Sequence, residues 1–219
     1  MEPRYHYQEE LNALYQQILK LGAMVEEALN KAIIALSVHD TELAAAVVQG
    51  DDAIDALAIA IEDEATRIIA MEQPVATDLR ELITTTKLAG GLERIGDHAR
   101  HIARRVPVIP HEIIAPALES IKTMAEIGIG MVRDSLTAFV DQDADLAREV
   151  AERDDRIDAV HKTVYEQLIA MMKDNPDLIG HGVNLMFLNR FLERLGDHVT
   201  NMCEWVVFAK TGDHVELNK

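Results

Sequence analysis

The chain of 219 residues carries 38 Asp and Glu against 21 Lys and Arg, a formal net charge of −17. That surplus argues against nucleic acid as a partner, because phosphates are neutralised by Lys and Arg, and against direct docking on an anionic lipid surface. The lone cysteine, Cys203, rules out an intramolecular disulfide and a Cys-rich metal site, and reads as a small apolar residue on a helix.

The opening residues, MEPRYHYQEE, are polar and charged where a secretory signal needs an apolar run. No stretch approaches the roughly twenty apolar residues of a membrane span. The expected protein is soluble and cytoplasmic, with no transmembrane segment. Ala, Leu, Ile, Glu and Met dominate and aromatics make up only 4%, which is helical composition. Leu11, Leu14, Ile18, Leu21, Val25, Ala28, Leu29 and Ala32 keep the three-to-four spacing of one apolar stripe along a first helix. Further breaks fall at His39–Asp40, Gln73–Pro74, Val106–Pro110, Asp141–Asp143 and Asp174–Pro176. Asn175–Pro176 pairs a capping side chain with a proline suited to the first turn of a helix. This punctuation predicts about six long helices, most of about 30 residues and so about 45 Å long. Short connections make neighbours antiparallel. The expected fold is all-α: two tandem, pseudo-symmetric, antiparallel three-helix bundles. The expected domains are residues 1–107 and 108–219, divided where Pro107 and Pro110 interrupt the pattern.

The two halves repeat one another. LERIGDH at Leu92–His98 recurs as LERLGDH at Leu192–His198, and GDDAID at Gly50–Asp55 as RDDRID at Arg153–Asp158. Upstream, Asp40, Leu43, Ala44 and Val47 correspond to Asp143, Leu146, Ala147 and Val150. The offset falls from 103 to 100 between the two motifs, so the second copy is expected to have a shorter connection between its helices.

Each repeat carries two acid-x-x-x-acid pairs: Asp51/Asp55 and Glu93/Asp97, then Asp154/Asp158 and Glu193/Asp197. Residues four apart share a helix face, where like charges repel unless a cation sits on them. Asp55 and Glu93 lie about twenty residues either side of the Gln73–Pro74 turn, so an antiparallel hairpin brings the pairs level; the second half repeats this around Asn175–Pro176. Each bundle is therefore expected to gather four carboxylates as a metal site. All-oxygen ligands suit hard cations, divalent or trivalent: magnesium, calcium, manganese or iron, with zinc less typical. The competing reading is a salt-bridge network with Arg94, Arg100, Arg190 and Arg194.

His98 and His198 follow an aspartate by one residue, point about 100° away from it and read as core or partner contacts. His101 shares the acidic face but is matched by Asn201, and Arg100 by Thr200, so the two sites are expected to differ. Gly96 and Gly196 cost a helix about 1 kcal/mol each, which close approach of a neighbouring helix or ligand would explain.

With these motifs, the chain resembles the PhoU family of phosphate-specific transport system regulators over essentially its whole length. The segment QPVATDLREL, Gln73 to Leu82, adds to the likeness, whereas NPDLIGHGVNL in the second half keeps the proline and lacks the DLR element. The resemblance implies two three-helix bundles whose Asp51/Asp55, Glu93/Asp97, Asp154/Asp158 and Glu193/Asp197 pairs hold multinuclear metal clusters. It implies regulation rather than catalysis: a cytoplasmic, membrane-peripheral adaptor, expected as a homodimer. Its implied partners are the ATPase subunit of a phosphate ABC transporter and a phosphate-sensing histidine kinase, and its implied effect is restraint of the phosphate-starvation response. The alternative is a ferritin-like di-metal carboxylate oxidase. Such sites use Glu-x-x-His, and here the third residue after Glu93 and Glu193 is Gly96 and Gly196.

Overall fold

A computed structural model describes residues 3–217. The apolar stripe of the first segment closes into helix α1 (Pro3–Val38), with Leu14, Ile18, Leu21, Val25 and Leu29 wholly buried along one face. Asp40 then caps α2 (Thr41–Glu72), its carboxylate accepting from the backbone N–H groups of Glu42 and Leu43. Gln73 ends α2 in a left-handed conformation, and α3 (Thr77–Ala103) returns antiparallel to it. A short helix α4 (His111–Ile114) lies in the proline-bearing connection and leads to α5 (Leu118–Val140). The second bundle continues with α6 (Ala144–Ala151), α7 (Asp154–Asp174), a 3₁₀ turn (Pro176–Leu178) and α8 (Ile179–Thr211).

The described residues form helices joined by turns and short irregular stretches, with no strand among them, and they make the expected two bundles of three. One arm departs from a single long helix: the counterpart of α2 is split into α6 and α7. At the break, Arg153 donates from its N–H to the Val150 carbonyl and Arg156 to that of Arg153, both three-residue spans of 3.1 Å. This locally tightened turn holds Arg153 against Asp134 of α5. In the first copy the matching residue is Gly50, which has open space around it, and the helix runs through.

The fall in offset has a plain origin. Four residues, 73–76, separate α2 from α3, whereas only Asn175 separates α7 from its 3₁₀ turn. The Asn175 side chain accepts from the Asp177 N–H and Pro176 takes the first position, so the predicted start signal works through a 3₁₀ turn before α8.

Repetition extends to backbone conformation. His39 (φ 56°) and Gln142 (φ 50°), each just before a capping aspartate, both adopt the left-handed region. The following N–H groups, of Asp40 and Asp143, close six-residue turns onto Ala35 and Ala138 at 2.9 and 2.8 Å. Replacing exposed His39 by glycine is expected to stabilise the protein by about 0.5–1 kcal/mol, by removing the Cβ penalty of that conformation. A denaturant midpoint unchanged or lowered in His39→Gly would contradict this.

The bundles pack side by side through α3 against α8 and α1 against α5. Phe139 of α5 is buried edge-on against Tyr15 of α1, with ring centroids 5.1 Å apart. One continuous apolar core results.

Candidate metal centres and the junction between bundles

Both predicted quartets come together. In the first, Asp51 and Asp55 of α2 face Glu93 and Asp97 of α3: Asp51 feels the negative charge of Asp55 and Asp97, and Glu93 that of Asp97, Asp55 and Asp51. In the second, Asp154 and Asp158 of α7 face Glu193 and Asp197 of α8 with the same mutual influence. Asp51 and Asp154 lie deepest, at 2% and 4% exposure, while Asp158 is at the surface. Burial raises Asp51, Glu93 and Glu193 above the ordinary carboxylate range, with neighbouring acids adding to the effect. Asp154 is pushed up to about 7, first by burial and then by Asp158, Asp197 and Glu193.

The quartets differ in their cations. Arg100 lies across the first, its Nη1 2.5 Å from Asp51 Oδ2 and its Nη2 on Asp97 Oδ1. Arg94 adds contacts to Glu93 at 3.3 Å and Asp97 at 3.4 Å. In the second, Arg190 pairs with Glu193, but Thr200 stands where Arg100 stood, its hydroxyl donating to Asp154 Oδ2 at 3.5 Å. The salt-bridge alternative thus describes the first quartet well, with Arg94 and Arg100 on Asp51, Glu93 and Asp97, and the second through Arg190 on Glu193. Among the described residues, no three of these eight acids offer ligand oxygens all within 4.8 Å of one another; that spacing is met by His6, Glu10 and Glu72 alone.

The two glycines beside the acids serve close approach. A Cβ on Gly196 would lie 1.9 Å from Asp154 Oδ1, and one on Gly96 3.0 Å from Ile54 Cγ2. Gly196 is therefore what lets the Asp154 carboxylate enter the bundle. Gly196→Ala is expected to cost about 2 kcal/mol, through overpacking against a charged group. Gly96→Ala gains about 1 kcal/mol of helix propensity but crowds the stiff Ile54 side chain at 3.0 Å, so its expected net effect is near zero. Chemical denaturation of the two variants checks this; equal losses would contradict it.

At the junction between bundles, His98 and His198 are the core contacts their place in the helices predicts, joined by Phe191 and Arg105, which no sequence pattern marked. His98 packs against His198 and Phe191, with ring centroids 5.3 and 5.4 Å away, and Arg105 caps Phe191 at 4.8 Å. Burial, aided by the nearby His198 and Arg194, lowers His98 to about 3 and keeps it neutral. The repeated GDH histidines thus serve as contacts between the bundles. The DLREL segment also has a structural task. Arg80 Nε donates to the Ala209 carbonyl at 3.2 Å, and the Thr84 hydroxyl to that of Trp205 at 3.2 Å, pinning the start of α3 to the end of α8. Glu81 accepts from the Tyr15 hydroxyl at 2.9 Å and from the Gln142 amide. On α8, Phe187 and Phe191 meet Arg105, whose guanidinium lies 5.2 and 4.8 Å from their ring centroids.

The PhoU domain family matches residues 18–106 and again 121–206, one match to each bundle. The chain belongs to the PhoU family. A PhoU homologue described as a phosphate-specific transport system accessory protein, from Clostridium acetobutylicum, is 35% identical over 97% of both chains. Another so described, from Zymomonas mobilis, is 38% identical over 94% of this chain and 87% of its own. The crystal structure of the phosphate transport system regulatory protein PhoU from Streptococcus pneumoniae superposes with a TM-score of 0.89 at 33% identity, covering 95% of this chain and 99% of that one. PhoU from Pseudomonas aeruginosa gives 0.86 at 34% identity, covering 94% and 100%. None of the helices among the described residues is long and apolar enough to cross a membrane.

Proposed function

We propose that this chain is a non-enzymatic, metal-binding regulator of phosphate uptake that restrains the phosphate-starvation response when phosphate is plentiful. The observation that carries the reading is PhoU-family similarity along the whole chain, to relatives described as accessory and regulatory proteins of phosphate transport. That description, together with glycines where an oxidase needs histidines, outweighs the ferritin-like di-metal oxidase. The protein works in the cytoplasm as a homodimer of two-bundle chains divided at residues 107 and 108. It reaches the membrane only through its partners, the phosphate transporter's ATPase subunit and a phosphate-sensing histidine kinase.

Metal enters this reading through the quartets. Asp51, Asp55, Glu93 and Asp97 form one candidate centre, and Asp154, Asp158, Glu193 and Asp197 the other. A divalent or trivalent cation (iron, manganese, magnesium, calcium or zinc) relieves the repulsion within each and fixes the spacing of the helices that carry them. In the first, the cation competes with Arg100 for Asp51 and Asp97. A cation at a hundred times its dissociation constant adds about 2.7 kcal/mol of stability per independent site. Melting curves of chelated and metal-replenished protein should therefore separate; superimposed curves and metal-free protein after dialysis against excess cation would end the metal part of the proposal.

The regulatory part is tested separately. A deletion strain should keep its starvation response high in phosphate-rich medium, and the wild-type gene should restore it. Normal regulation in that strain, with no second copy of the gene, overturns the adaptor reading whatever the metal experiments show.

A further inference from the structure

We propose a third cation site, of zinc type, at the end of the first bundle, formed by His6, Glu10 and Glu72 and independent of the carboxylate quartets. His6 and Glu10 lie one turn apart on α1, and Glu72 is the last residue of the antiparallel α2, so the three converge from two helices. A ring nitrogen of His6 and one oxygen from each glutamate all lie within 4.8 Å of one another. A zinc ion bound at about 2.0–2.2 Å needs such atoms about 3.3 Å apart, a contraction that small side-chain rotations supply. His6 is free to make them, since its side chain is 61% exposed.

Glu10 supplies a second, independent observation. Its Oε1 is engaged by Arg67 Nη2 at 2.6 Å and faces His6 Nε2 at 3.5 Å. Its Oε2 is buried and, among the described residues, has no hydrogen-bond partner. A buried acceptor left unmade is costly, and a turn of the Glu10 carboxylate onto a cation held by His6 and Glu72 would satisfy it. Arg67 does not close the site, because it pairs with Glu64 at 2.7 Å as well and leaves Oε2 open. The neighbouring Tyr7 side chain is buried against α3 and donates to the Asp78 carbonyl at 3.4 Å, which fixes the turn bearing His6. One imidazole and two carboxylates leave a fourth position for water, a donor set that suits zinc better than magnesium or calcium. Bound there, the ion ties the first turn of α1 to the end of α2.

The test follows the ring nitrogens of His6 by NMR while zinc sulfate is titrated into the full-length protein, the His6 signals being assigned by their absence in His6→Asn. In the wild-type protein they should shift and saturate. The same should hold in the Glu93→Gln/Asp97→Asn variant, which disables a quartet and leaves this site whole. Glu72→Gln and Glu10→Gln should each weaken the response at least tenfold. His6 signals that stay fixed up to millimolar zinc overturn the site. So does an undiminished response in both glutamine variants, which would mean a lone surface histidine binding zinc. Loss of the response in Glu93→Gln/Asp97→Asn would overturn its independence. None of these outcomes touches the phosphate-regulation reading, whose readout is the deletion strain.

Discussion

Asp154→Asn should stabilise the metal-stripped protein at pH 8 and, in the same variant, abolish most of the stabilisation that added metal gives the second bundle. In the folded chain Asp154 is held up to about 7 from an ordinary 3.8 by burial and by Asp158, Asp197 and Glu193. Between those values the folded protein keeps a proton that the unfolded chain has released. Its stability therefore falls as pH rises through the window and reaches its lower level above about pH 7. An amide carries no charge to desolvate and still accepts from Thr200, so the variant escapes that loss. The two proteins should be nearly matched near pH 4 and diverge towards pH 8, by roughly 2 kcal/mol in favour of the variant. With the proposed cation seated in the second quartet, saturating metal should reverse the order, since the variant lacks one of its carboxylates. Thermal melts from pH 4.5 to 8, with and without chelator, read both effects. Parallel curves at every pH would show that Asp154 is ionised comfortably, and an unchanged metal response would remove it from the site.

How much of this was legible in the residues depends on distance along the chain. The two bundles followed from apolar spacing and from breaks such as His39–Asp40 and Asn175–Pro176, because helix punctuation is written in neighbouring residues. The levelling of Asp51/Asp55 with Glu93/Asp97 followed from counting residues either side of a turn. The split between α6 and α7 did not: it depends on Arg153 reaching Asp134, a contact between different helices. Arg100 and Thr200 were recognisable as mismatched, but that Arg100 bridges Asp51 and Asp97 required the crossing of α2 and α3. The roles of Phe191 and Arg105 needed the packing of one bundle on the other, which no local pattern encodes. His6, Glu10 and Glu72 form another such case. Nothing in the sequence marks His6 and Glu10, four apart, and Glu72 joins them only once α1 and α2 are antiparallel.

Arg100→Thr tests whether one residue accounts for the difference between the bundles. Asp51 is almost wholly buried, and Arg100 is the cation that opposes its desolvation; Asp55 and Asp97 act in the other direction. Removing one partner of a buried pair leaves the other charge uncompensated, at a cost of about 3 kcal/mol, far above that of an exposed ion pair. Chelated Arg100→Thr protein should thus melt well below wild type at pH 8. The deficit should shrink as pH falls and Asp51 takes up a proton, because its raised pKa rises further without the guanidinium. The same substitution makes the first quartet resemble the second, with a hydroxyl in place of a cation. Added metal should then restore more stability to the variant than to wild type, and equilibrium dialysis should show tighter binding at the first quartet. A variant as stable as wild type under chelation would mean that the Asp51–Arg100 pair contributes little. A variant that is destabilised but gains no metal affinity would mean that Arg100 holds α2 to α3 without competing for the cation's place.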